Sequence, residues 1–172
     1  MIAIALEAAS TAASALTRSL EELAELLERT SDDMYVWTPP GGVSGSMGAH
    51  VRHVLDHVMA LMDRPRQQTV TYDRRVRDTA VEQNRPSGIA ALRNASYRLA
   101  AFVDSPADES LVLEAMVEHG QPPIAVMTSL SRELVFALQH TIHHQAIIAV
   151  LLQQNGIGAP SRFGYAPATP TR

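Results

Sequence analysis

Six of the seven histidines of this chain lie in two short clusters. One cluster contains His50, His53 and His57, and the other contains His140, His143 and His144. Residues three or four positions apart share one face of an α-helix, so each cluster predicts a helical face lined with imidazoles. Neutral imidazole is the common protein ligand of Zn²⁺, Ni²⁺ and Fe²⁺. The two clusters therefore predict a divalent-metal site.

The residues around the clusters predict that both faces point into the protein. The line through the second cluster continues to Phe136 and Leu151, and the line through the first continues to Ala60 and Leu61. Imidazoles in an apolar core must be hydrogen-bonded or bind a ligand, because an unsatisfied buried polar group costs free energy. Hydrogen-bonded core histidines without any ion are the alternative interpretation.

A site of three imidazoles would have a specific chemical consequence. Two histidines one helical turn apart can reach the same ion, and a third from a facing helix leaves one coordination position open. An open position is typical of catalytic zinc sites, where water or substrate occupies it. Not all six histidines can bind one ion. The others would support the ligands or face water.

Charged residues could complete such a site. Asp56 could orient a ligand imidazole, or it could simply pair with an arginine. Glu82 is a candidate catalytic group, with a surface charge as the alternative. Arg74, Arg75 and Arg77 could bind an anionic group of a small-molecule substrate through bidentate contacts, or pair with neighbouring aspartates.

Four segments with helical periodicity must position these residues. They cover residues 1–30, the stretch from Ser44 or Ser46 to about Asp63, a segment after Pro86-Ser87, and the stretch from about Ser129 to Asn155, which Gly156 ends. Residues 111–117 and 124–128 predict a small β-hairpin, whereas 64–85 and the tail 156–172 show no regular pattern. The expected fold class is all-α, an up-and-down four-helix bundle with the hairpin before the last helix.

Composition excludes several classes of function. A length of 172 residues indicates one domain. The chain contains neither cysteine nor lysine, which excludes thiolate catalysis and lysine Schiff bases. A net charge of −4 makes nucleic acid an unexpected partner. The longest apolar run, 146–152, is far shorter than the roughly 20 residues of a membrane span, so we expect no membrane association and a cytoplasmic location.

The two histidine motifs resemble those of the DinB-like superfamily of metalloenzymes. Ser46 precedes His53 by seven positions and Asp56 follows it by three, which is similar to the pattern of the family's second helix. His140-Thr141-Ile142-His143-His144 is similar to the His-x-x-His-His pattern of its fourth helix. After His144 the sequence departs from the family, which often has Arg-Gly-Gln where this chain has Gln145-Ala146-Ile147.

The resemblance implies a single DinB-like bundle over residues 1–172 and a site with specific ligands. The implied ligands are His53, His140 and His144, with His50, His57 and His143 as additional ligands or supporting groups. Zinc is the first expected ion, and nickel and iron are alternatives. A bacterial metal-dependent enzyme is implied, a hydrolase or an S-transferase acting on a low-molecular-weight thiol. The alternative is a non-catalytic metal- or ligand-binding bundle with a stress or sensor role. A homodimer is expected because bundles of this family often pair.

Overall fold

The computed structural model describes residues 2–41, 45–64, 69–73, 79–104 and 110–170, with the backbone alone for 2–6 and 101–104. This part of the chain is mostly helical and contains a small three-stranded sheet. Its elements in chain order are α1 (Ile2–Glu28), α2 (Asp32–Val36), α3 (Met47–Met62), β1 (Thr69–Thr71), α4 (Ala80–Gln83), α5 (Arg85–Asp104), β2 (Ser110–Ala115), β3 (Ile124–Ser129) and α6 (Leu130–Gln154).

The four long helices pack around one core. Helix α1 packs against α5 and α6, and α3 also packs against α5 and α6. On α1, the residues Leu16, Leu20, Leu23 and Leu27 are fully buried. Their spacing of three and four residues puts them on one face, and burial of that apolar face supplies most of the driving force for packing.

Helix boundaries follow local capping. The Ser46 hydroxyl accepts a hydrogen bond from the Ala49 amide at the start of α3, and the Ser129 hydroxyl does the same for Arg132 at the start of α6. Helix α5 begins at Arg85, slightly before the expected start. Here the Asn84 side chain accepts a hydrogen bond from the Ser87 amide at 2.9 Å, and a proline is tolerated in the first helical turn.

The sheet has the strand order β1-β2-β3. Strands β2 and β3 are antiparallel, with Ser110 opposite Ser129 and Ala115 opposite Ile124. Strand β1 is parallel to β2 and lies within residues 64–85, where the sequence predicts only irregular structure. Three residues are too few to show a strand pattern in the sequence. Strand β1 forms because it pairs with β2 and buries the Val70 side chain.

The short helix α4 closely approaches α3. The Tyr35 hydroxyl donates a 2.6 Å hydrogen bond to the Val81 carbonyl, and Arg52 forms an ion pair with Glu82 at 2.9 Å. Gly48 makes this approach feasible, because a Cβ atom there would lie 2.1 Å from the Glu82 carbonyl oxygen. These contacts fix the second half of the connection between α3 and α5 against the helices.

Helix α6 ends as the sequence predicts. Gly156 has a φ of +71°, and the amides of Gly156 and Ile157 donate to the carbonyls of Gln153 and Leu152. This pattern is the Schellman C-terminal motif. By length and composition α6 is the one described helix that could cross a membrane, and one of its faces packs on α1 and α3. Beyond α6, Phe163 buries its ring against the core.

Candidate metal centre

Helices α3 and α6 bring five histidines together. The His53 ring centre lies 4.6 Å from that of His57, 4.9 Å from that of His140 and 4.7 Å from that of His144. The rings of His57 and His140 stack with centres 3.9 Å apart. His50 adjoins the group through His144, with ring centres 5.1 Å apart. The inward faces predicted from the sequence therefore meet at the contact between α3 and α6.

Three of these side chains have the spacing of a metal-binding group. One ring nitrogen each from His53, His57 and His140 lies within 4.8 Å of the other two. His57 is buried, whereas His53 and His140 are partly exposed. The group thus combines three imidazole nitrogens with access from solvent, as an open metal site requires.

The orientation of His57 suits metal binding. Its Nδ1 lies 3.0 Å from the carbonyl oxygen of His53. A carbonyl only accepts hydrogen bonds, so Nδ1 carries a proton, and in the neutral form of this ring the lone pair is on Nε2. Ligand histidines commonly have this arrangement, with one ring nitrogen donating to a carbonyl and the other directed to the ion.

His144 is placed between two other imidazoles. Its Nδ1 lies 2.9 Å from Nδ1 of His50, and its Nε2 lies 3.1 Å from Nε2 of His140. Burial, followed by the nearby His140, His53, His50 and His143, lowers the pKa of His144 to about 2. His144 is therefore neutral at physiological pH, so one of its nitrogens donates and the other accepts.

His50 has an unsatisfied nitrogen. Burial, and to a lesser extent His143, lowers the pKa of His50, so this ring is neutral too. Among the described residues, its buried Nε2 has no hydrogen-bond partner. These two neutral imidazoles, one of them incompletely hydrogen-bonded, and the three neighbouring ones form a nitrogen-rich donor set. This set fits a borderline divalent ion such as Zn²⁺ better than Ca²⁺ or Mg²⁺, which prefer oxygen ligands.

The other residues predicted for the site have different surroundings. His143 is exposed at its edge, with its ring centre 5.3 Å from that of His144. Asp56 and Glu82 both accept hydrogen bonds from Arg52, at 2.7 and 2.9 Å. Their catalytic and orienting roles stay predictions. Residues Arg74, Arg75 and Arg77 lie outside the described residues.

The sequence did not predict two further residues of the site, Tyr72 and Glu133. The Tyr72 ring stacks on His57, with centres 4.9 Å apart, and the Tyr72 hydroxyl donates to Glu133 at 2.7 Å. Glu133 is completely buried. One signal was available: Glu133 lies seven residues before His140, two helical turns away on the same inward face. Nothing in the sequence pattern marks Tyr72, which follows a strand of three residues.

Comparison with known proteins supports the resemblance. The chain is 29% identical over 101 residues to a protein of Rhizopus delemar named FK506-binding protein 5. The match covers 58% of this chain but only 26% of that relative's length. The family model of the DinB superfamily matches residues 15–148, which include all of α3, α5, β2 and β3, the second half of α1 and most of α6. The chain belongs to the DinB superfamily.

Proposed function

We propose that this protein is a divalent-metal-dependent enzyme that acts on a small molecule by hydrolysis or thiol transfer. The observation that carries the proposal is the group of His53, His57 and His140, whose nitrogens lie within 4.8 Å of one another between α3 and α6. Membership of the DinB superfamily supports it, because that resemblance implies a metal site formed by these two helices.

Two sets of imidazoles could hold the ion. His53 and His140 belong to both sets. The third ligand is His57 in the group formed by the structure and His144 in the set implied by the family motif. Two nitrogens bound to one tetrahedral zinc ion are roughly 3.3 Å apart, so the 3.1 Å between His140 and His144 also suits a shared ion. We favour His57, because its Nδ1 already donates to a carbonyl.

The chemistry follows from an open three-nitrogen site. When bound, a divalent ion would lower the pKa of a water molecule, polarise a carbonyl or hold a thiolate of the substrate. The protein would supply neutral imidazoles, partial burial and, from Arg74, Arg75 and Arg77, charges for an anionic substrate. We propose zinc as the ion, with nickel or iron as alternatives, and a cytoplasmic enzyme formed by one DinB-type four-helix bundle.

The test measures whether enzymatic activity requires both the bound ion and His140. Protein stripped with a chelator and reloaded with Zn²⁺, Ni²⁺ or Fe²⁺ is assayed with an ester panel and with low-molecular-weight thiols plus an electrophile. We expect turnover that requires the ion and is lost in His140→Ala. The exposed His119→Ala variant is the control. Loaded, folded protein without turnover in either panel would contradict the proposed reactions.

A non-catalytic role is the second candidate. His144 connects His50 and His140 through contacts of 2.9 and 3.1 Å, so these imidazoles can hydrogen-bond to one another without an ion. A bundle with such a core could bind a ligand in a sensor or stress function. Metal that binds without any associated turnover would favour this candidate.

A further inference from the structure

Tyr72 lies against one of the metal-binding histidines and is itself held in place. Its ring is nearly parallel to that of His57, with an angle of 12° between the two planes. Its hydroxyl donates a 2.7 Å hydrogen bond to Oε2 of Glu133. Burial, followed by the hydrogen bond to Glu133, raises the pKa of Tyr72 far above its usual range. The hydroxyl therefore remains a donor at every physiological pH.

Glu133 is held by three groups. Besides Tyr72, the Thr128 hydroxyl donates to Oε1 at 2.7 Å and Arg132 donates to the same oxygen at 2.6 Å. Glu133 lies in the first turn of α6, where the helix dipole favours a carboxylate. Thr128 lies on β3 and Tyr72 directly follows β1, so one buried carboxylate connects both strands to the helix that carries His140.

Stacking on the face of an imidazole restricts the ring without blocking its nitrogens, which lie on the ring edge. The hydrogen bond from His57 Nδ1 to the His53 carbonyl fixes one point of the ring. Contact with Tyr72 limits rotation about that point. A ligand must be held within about 0.5 Å of its working position, and groups behind the ligands normally provide this restraint.

We propose that Tyr72, anchored by Glu133, is a positioning residue that orients His57 for metal binding, an inference that rests on the proposed metal site. Tyr72 would not touch the ion or the substrate. Its effect would reach the site only through the orientation of the His57 ring.

The first test is metal affinity, measured by competition with a chromophoric Zn²⁺ chelator and by the visible absorption bands of the Co²⁺-loaded protein. We expect Tyr72→Ala to weaken Zn²⁺ binding by about 10- to 100-fold, as is typical for loss of a group behind a ligand. Tyr72→Phe, which removes one oxygen atom and keeps the stacked ring, should weaken binding a few-fold. Both variants should shift the Co²⁺ bands. Wild-type affinity in Tyr72→Ala would overturn the inference.

Tyr97→Ala is the matched control, because Tyr97 is 81% exposed on α5. It should bind Zn²⁺ like the wild type. Thermal unfolding of the metal-free variants separates a folding defect from a local one, and Tyr72→Phe remains informative if Tyr72→Ala does not fold.

The second test needs no metal. Long-range ¹H–¹⁵N spectra of the metal-free protein report which nitrogen of each imidazole is protonated. In the wild type we expect His57 in the Nδ1–H form alone, and in Tyr72→Ala and Tyr72→Phe a mixture of forms or exchange broadening. An unchanged His57 signal in both variants would contradict the positioning role. If the wild type binds no metal yet His57 responds to both variants, the proposed function fails and the positioning role stands.

Discussion

His144 is the residue whose surroundings have the clearest energetic consequence. Burial and four neighbouring histidines lower its pKa to about 2 in the folded protein, whereas an unfolded histidine titrates near 6.5. The unfolded chain therefore takes up a proton at a higher pH than the folded one. The resulting stability is fully present above about pH 6.5 and is lost as the pH falls toward 2.

Metal-free protein should accordingly lose stability on acidification. Between pH 7.5 and 5.0 one such imidazole contributes a loss of about 2 kcal/mol in the free energy of unfolding, and His50, whose pKa is also lowered, adds to it. For a chain of this size the expected drop in Tm is roughly 4–8 °C for His144 alone.

Calorimetry at the two pH values measures this effect. The His144→Phe variant, which keeps an aromatic ring but has no titrating nitrogen, should show a smaller drop in Tm than the wild type. His119→Ala is the control, because His119 lies exposed in the turn between β2 and β3. A wild-type Tm that is equal at both pH values would contradict the buried, neutral state of His144.

At the scale of elements, the approach of α4 to α3 depends on Gly48. A Cβ atom at this position would lie 2.1 Å from the Glu82 carbonyl oxygen and 2.8 Å from the Tyr35 ring. The Glu82 backbone cannot move aside as the end of a flexible side chain can. Gly48→Ala should therefore displace α4 and destabilise the protein by about 1–3 kcal/mol, the usual cost of overpacking.

Chemical denaturation measures this difference. Gly158→Ala is the matched control, because a Cβ atom there would meet nothing within 4 Å. We expect the control to unfold at the wild-type denaturant concentration and Gly48→Ala to unfold at a lower one. Equal midpoints for both variants would show that α4 is not held against α3 in solution.

The long elements were predictable from sequence and the short ones were not. The leucines of α1, the serine caps of α3 and α6 and the glycine that ends α6 are local signals, and each predicts an element close to its observed bounds. Strand β1 and helix α4 have three and four residues. Tertiary contacts, such as the burial of Val70 and the ion pair of Glu82 with Arg52, define them instead.

At the scale of the whole molecule, helix periodicity predicts which histidines point inward but not which of them form one group. That choice depends on the axial offset between α3 and α6, which no local pattern encodes. The motif resemblance implied His144 as a ligand with His53 and His140, whereas the structure groups His57 with those two. Tyr72 was unpredictable for the same reason, since the packing of β1 on α3 brings it to the site. Glu133 had one signal, its position two helical turns before His140 on α6.

The assembly of the molecule is a separate expectation. We propose a homodimer. The leucines of α1 do not form the dimer interface, because Leu16, Leu20, Leu23 and Leu27 are fully buried within one chain. Light scattering after size exclusion should give twice the chain mass of 18.7 kDa. A mass of one chain at micromolar concentration would contradict the dimer and leave the metal site unaffected.

The most direct test of the proposed metal site is the metal content of untagged protein, measured by elemental mass spectrometry. We expect about one equivalent of divalent metal per chain in the wild type and none in His53→Ala or His140→Ala. Loss in His57→Ala with retention in His144→Ala would support the group formed by the structure, and the reverse would support the set implied by the motif. Folded wild-type protein that contains no metal and takes up neither Zn²⁺ nor Ni²⁺ would contradict the proposed metal site.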